Sequence, residues 1–208
     1  MRKYISFVII MALTFGFASC TGGAKEKVKE AKENVSAAKS VVKGLSKMEK
    51  KAEEYQKDME KLQDVDPFTS ESFRKWMPDE LAGMKRTSFE FASAMGNQGT
   101  ISFKNEEGDK TFKVSIIDGA GEMGSLVVAS QGFITGFMDD YYSESEDKLE
   151  RVVERKGNKA METYNKNRNS TEINVVIDKR FIVMAETKNI DVDDTWELID
   201  KLKIGKLK

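Results

Sequence analysis

The chain has 208 residues, with 34 Lys and Arg against 35 Asp and Glu, one cysteine and no histidine, for a formal net charge of −1. So balanced a charge leaves no basic footprint for nucleic acid. The missing histidine excludes Ser-His-Asp, Cys-His and His-zinc chemistry, together with the usual general base near neutral pH. Charged residues make up 33% and hydrophobic ones 39%, wetter than a compact domain alone, so a long solvated segment is expected beside one globular domain.

The first stretch sets Arg2 and Lys3 before an apolar run from Tyr4 to Phe17, then the small residues Ala18 and Ser19 ahead of Cys20. A charged start, a short apolar core and a small pair before the cut make an export signal, and the run falls short of the ~20 residues that span a bilayer. Phe17-Ala18-Ser19-Cys20 resembles the lipobox of bacterial lipoproteins. The resemblance implies a signal peptide over 1–19, cleavage before Cys20, and diacylglycerol on its thiol, several acyl chains giving stable anchoring. Thr21 is not the Asp that retains some lipoproteins at the inner membrane, and no acidic cluster of the surface-export kind follows Cys20. The expected location is therefore the outer membrane, lipid-anchored and facing the periplasm. With Cys20 acylated no disulfide can form, so the exported domain must be stabilised by its core alone.

Residues 20–66 read as a lipidated N-terminus and helical stalk. From Ala24 to Asp64 there is no proline and one glycine, Gly44, in a dense mixture of Lys, Glu and Ala, all good helix formers. Val28, Ala31, Val35, Ala38, Val42 and Leu45 step by three and four, as do Met48, Ala52, Tyr55, Met59 and Leu62, a seam of heptad type. An extra step of three beside Gly44 breaks its continuity. Two outcomes stay open: a weak coiled coil with another chain, or a lone helix whose seam lies on the head or a membrane surface. The small seam residues bury little per layer, which favours the lone helix and a monomer.

Residues 67–208 read as an α+β head. Asp66-Pro67 ends the stalk. Phe68 to Ala82 follows as a short helical connector, capped by Thr69 or Ser70 and broken at Pro78, with Trp76 as a core anchor. Ser88–Ala94, Thr100–Lys104 and Thr111–Ile117 read as antiparallel strands, Phe112, Val114 and Ile116 facing one way. Met123–Met138 is an apolar helix rich in Gly, Ala and Ser, and Asp139–Asp147 an acidic loop. Leu149–Arg155, Lys159–Lys166, Glu172–Ile177 and Phe181–Thr187 give four more strands, and the helix Val192–Lys203, capped by Asp193, closes the chain. The expected fold is a long N-terminal helix followed by an antiparallel sheet covered on one side by two helices. From about Ser88 onward this order is similar to PsbP-like and MOG1-like domains. Gly83-Met84-Lys85-Arg86-Thr87-Ser88, Asp118-Gly119-Ala120-Gly121-Glu122 and Arg180-Phe181-Ile182-Val183 resemble uncharacterised Bacteroidetes lipoproteins, a likeness that implies no activity.

Gly119, Gly121 and Gly124 spell GxGxxG between a strand and a helix, where a dinucleotide fingerprint would sit. The second apolar strand ending in an acid is missing, so the glycines read as a tight turn and a close helix-to-sheet contact. Asp139, Asp140, Glu144, Glu146 and Asp147 crowd one loop, but not at EF-hand spacing. With Tyr141 and Tyr142 beside them, Asp139 and Asp140 read instead as a protein-contact patch. Asp191, Asp193 and Asp194 fit the cap and first turn of the last helix. No catalytic, metal or cofactor residue is assigned. The expected function is a membrane-anchored lipoprotein of the cell envelope, a non-catalytic binding or protein-interaction module with an envelope partner. The competing readings are a carboxylate-only enzyme such as a glycan hydrolase, and a structural spacer.

Overall fold

Alternating side chains become strands wherever one face of the backbone is buried. A computed structural model describes residues 46, 49–50, 52–93, 96–137 and 140–207. By backbone contacts Met48–Lys208 forms one unit and Met1–Lys47 another; the sheet and its helices belong to the former. β1 (Glu80–Leu81), β2 (Met84–Ala92), β3 (Gln98–Lys104), β4 (Thr111–Asp118), β5 (Tyr142–Glu144), β6 (Lys148–Arg155), β7 (Asn158–Asn165), β8 (Ser170–Ile177) and β9 (Phe181–Lys188) form one sheet. Its order is β1-β2-β3-β4-β9-β8-β7-β6-β5, antiparallel throughout. Two meanders are thus zipped together along β4 and β9, from Thr111 opposite Lys188 to Asp118 opposite Phe181.

The helices are α1 over residues 52–63, α2 (Ser70–Trp76), α3 (Gly121–Phe137) and α4 (Val192–Leu202), with a 3₁₀ turn at Ile204–Lys206. Thr69 caps α2 through a reciprocal pair with Ser72. The cap of α4 is Asp191, whose carboxylate accepts from the Asp194 amide, and not Asp193, which lies in the first turn.

The expected architecture is corrected in three respects. The sheet has nine strands, because Glu80–Leu81 pairs as an edge strand at one side and Tyr142–Glu144, inside the expected acidic loop, at the other. Four helices stand among the described residues, and they lie on both faces. Following the register, Gly99, Ile116, Val183, Val175 and Ala160 share one face with Phe112, Val114, Ala185, Ile173 and Glu162. Phe73 of α2 packs on Gly99 of that inner face, and Trp196 of α4 donates to Glu162 there. Val128 and Ala129 of α3 share a groove instead with Lys159 and Val176 of the opposite, outer face. Ile117 opposite Ile182, and Ile182 opposite Val176, make one end of the outer face apolar as well, so that end needs cover too. Finally, no long N-terminal helix is described: the helix is continuous over 52–63, and of the expected stalk before it only residues 46 and 49–50 are among the described residues.

The inner face carries the core. Ile101, Phe103, Phe112, Val114, Ile116, Ile173 and Val183 are essentially fully buried, each contributing about 1.5–3 kcal/mol on burial. Against them α4 sets Trp196, Leu198, Ile199 and Leu202, and its Thr195 hydroxyl meets that of Thr187 at 3.0 Å.

Rather than standing free, α1 is tied to the β8–β9 turn. Lys179 donates to Asp58 at 2.8 Å and to Glu54 at 3.2 Å. Partial desolvation works against the Asp58 charge, but the Lys179 and Lys61 hydrogen bonds outweigh it and hold the carboxyl below its usual range. The same bonds, from Asp58 and then Glu54, hold the Lys179 ammonium above its usual range. The Asp58 contribution is complete above about pH 4, the ordinary aspartate value, and is lost as pH falls through the lowered pKa; that of Lys179 is complete below about pH 10 and is lost as pH rises through the raised one. In Cys20→Ser protein spin-labelled at positions 57 and 206, the distance distribution is expected to be narrow at pH 6 and to broaden only as pH falls below the ordinary aspartate value, through the lowered pKa of Asp58. An unchanged distribution would show that the tie does not hold α1.

Candidate binding surface

Cys20 lies outside the described residues, as does Asp139. Of the remaining patch residues, Asp140 is exposed with a left-handed φ of 61°, Tyr141 is 36% exposed and Tyr142 is 62% exposed. The Tyr142 hydroxyl donates to Glu144 at 2.6 Å, and Lys166 reaches the same carboxylate at 2.9 Å. The bond to Glu144 raises the Tyr142 hydroxyl, and the bonds from Tyr142 and then Lys166 lower the Glu144 carboxyl. The Glu144 carboxylate at this edge is therefore partnered locally. Among the described residues no three acids stand close enough to hold a metal ion.

The GxGxxG glycines are packing devices. A Cβ on Gly119 would collide with Val128 and with the Arg180 carbonyl, and one on Gly124 with the Asp118 carbonyl, while Gly121 takes a φ of 77°. α3 thus starts hard against the end of β4, its first turn packed on the Asp118–Gly119 backbone. Beside it Asp118, fully buried, accepts from the amides of Phe68 (2.8 Å) and Ala120 (3.0 Å) and from Arg180 Nε (2.7 Å) and its terminal nitrogen (2.8 Å). The bond to Asp118 raises the Arg180 guanidinium further. A second buried carboxylate, Glu162, accepts from Arg151 at 2.7 Å and Trp196 at 2.6 Å. Both join elements of the fold.

Three concavities among the described residues bear on function. The first, of about 540 Å³, separates the β3–β4 turn from α4 and is lined by Glu107, Asp109, Asp194 and Glu197. Acids facing across a cleft are what a carboxylate-only hydrolase would need, but one must stay protonated near neutral pH. Here the Asn105 amide holds the Asp109 carboxyl below its usual range, and Glu197 is paired with Lys201 at 3.3 Å. The second, of about 330 Å³, is the mostly apolar groove between α1, α3 and the β6–β7 turn. Near it α3 exposes Met123 (52%) and Leu126 (49%).

The third, of about 650 Å³, lies on the outer face at the end that α3 leaves open. Its charged lining is Lys104, Lys113, Arg168, Lys188, Glu172 and Glu186, all exposed. Ser102, Thr111 and Ser170 stand among them. By register Lys104 lies opposite Lys85 on β2, and Glu172 lies opposite Glu186. Like charges directly opposite each other weaken a sheet. Among the described residues, none of these four cations and two carboxylates has an ion pair within 4.0 Å or a side-chain hydrogen bond. Lys113 lies opposite Glu186 in the register without pairing with it. Elsewhere the surface pairs its charges readily, as Lys148 does with Glu150, Lys166 with Glu144 and Lys156 with Asp200.

Nothing in the sequence singles out these six residues. Outward positions on strands carry charge as a rule, and only the pairing of β4 with β9 places Lys188 in the same cross-strand row as Lys104, with Thr111 between them.

No family model matches the chain, and no curated protein matches it. Among solved structures it is similar to a GTP binding regulator from Thermotoga maritima, at 7% identity over 63% of this chain and 81% of that one, with a TM-score of 0.28. A likeness that low bears on neither fold nor function.

Proposed function

We propose that this chain is a lipid-anchored, non-catalytic binding module of the bacterial cell envelope, held at the outer membrane through Cys20 and facing the periplasm, with the open half of the outer sheet face as its binding surface. The lipobox-like Phe17–Cys20 stretch supports the anchor. The observation that carries the binding surface is the lining of the open cleft, Lys104, Lys113, Arg168 and Lys188 with Glu172 and Glu186. Among the described residues none of these side chains has an ion pair within 4.0 Å or a side-chain hydrogen bond, and only Glu172 acts at longer range, on Lys148. Exposed groups that find no partner in their own fold are free to be satisfied by another molecule, at little desolvation cost. The spacer reading is disfavoured by the tie of α1 to Lys179, which draws the end of the expected stalk onto the head.

A photo-crosslinking amino acid at Thr111, between Lys104 and Lys188 on the cleft floor, tests this in intact cells. Adducts are expected from Thr111 with the anchored chain, few from the same group at exposed Lys206, and a loss of the Thr111 adducts in the Cys20→Ser form. Equal yields from both positions, or adducts indifferent to the anchor, would contradict the reading.

A further inference from the structure

We propose that the open cleft binds an anionic polysaccharide, an extended polymer that carries both hydroxyls and regularly spaced carboxylate or phosphate groups. This rests on the cleft being the binding surface. The argument is charge complementarity. Lys85 and Lys104 face each other across one strand spacing, and Lys104 and Lys188 are separated by Thr111, two spacings or about 10 Å. Arg168, in the β7–β8 turn, continues the row beyond Lys188. Together they form a cationic line running across the strands; among the described residues none of them has an ion pair within 4.0 Å, and the one carboxylate directly opposite a member of the line in the register is Glu80, across from Lys85 at its outer end. A small anion would occupy one or two of these positions; a polymer meets them all.

Glu172 and Glu186 set the second requirement. They lie one row along the strands from Lys188 and Ser170, among the described residues also without an ion pair within 4.0 Å or a side-chain hydrogen bond, and as acceptors they suit the hydroxyls of a sugar. The cleft offers no ring for a nucleobase to stack on: Phe103 and Phe112, which contribute to its floor, are 1% and 0% exposed and belong to the inner face. Ser102, Thr111 and Ser170 add hydroxyl partners within the same floor.

The test titrates the full chain, purified in detergent, with a polyuronate, a phosphodiester-bearing mannan, neutral dextran and a thymidine oligonucleotide, at two salt concentrations. Saturable binding is expected to the polyuronate, the mannan or both, weakened by salt as exposed charges are screened, with none to dextran; which of the two binds identifies the anionic group. Lys104→Ala, Lys188→Ala and Arg168→Ala should each weaken it by up to about fivefold, the limit for an exposed ion pair, and together on the order of a hundredfold. Lys203→Ala with Lys206→Ala, outside the cleft, should leave it unchanged. All five are exposed positions, so unfolding urea midpoints are expected to stay put and to certify the fold. Binding that ignores the cleft substitutions, equal binding of dextran, tighter binding of the oligonucleotide, or binding of none of the four overturns the proposal. Crosslinking at Thr111 without polysaccharide binding would overturn the ligand class while leaving the surface itself in place.

Discussion

Asp118→Ala is expected to destabilise the head by about 3–5 kcal/mol, the range for breaking a buried ion pair from one side. Asp118 is fully buried, and its carboxylate is the acceptor for two backbone amides and two guanidinium nitrogens. Removing it leaves the Arg180 side chain, 17% exposed, with an uncompensated charge, and strands the Phe68 and Ala120 amides. The damage also spreads along the chain, since Arg180 donates to the Asp66 carbonyl and the Phe68 amide donates to Asp118 itself. The segment joining α1 to α2 therefore loses two of its attachments at once. Urea unfolding should show a midpoint lowered at an unchanged slope, and limited proteolysis should cut the 64–69 segment earlier than in the wild type. A change under about 1 kcal/mol would mean that the pair is no more than a surface contact.

The second large effect is expected at Phe73. Its side chain is fully buried, with ring centroids 5.5 Å from both Phe68 and Trp76, and it fills the space above Gly99 where a Cβ would stand. Phe73→Ala should cost about 3–5 kcal/mol through lost transfer energy and a cavity. Gly99→Ala should cost about 1–3 kcal/mol by overpacking, because the ring is held on two sides and has little room to shift. In the double variant the added methyl enters the cavity, so the combined loss should fall short of the sum by about 1 kcal/mol or more. Strict additivity would show that Phe73 and Gly99 do not share that space.

How much of this is legible in the sequence follows from the range of the interactions. Phe112, Val114 and Ile116 alternate, and their strand is readable; so are the core strands of the second meander and the apolar face of α4. β1 and β5 are not, since strands of two and three residues at sheet edges leave no period to detect. The cover on both faces is hidden because Ile117, Val176 and Ile182 look like chance departures from alternation until the register places them side by side. Asp118 and Arg180 are 62 residues apart, and neither names the other. The same distance hides the open cleft, whose lysines come from strands that meet only through β4 and β9. By contrast, the GxGxxG stretch is readable as packing, because the antiparallel alternation of β4 already argues against a dinucleotide fold.

The lipid anchor is tested most directly by the intact mass of the mature chain isolated from cell membranes. A chain that begins at Cys20 and carries diacylglycerol on its thiol is the predicted result, with no such species from the Cys20→Ser form. A chain that retains residues 1–19, or one that begins elsewhere with Cys20 unmodified, would contradict the lipid anchor and with it the envelope setting of the binding surface.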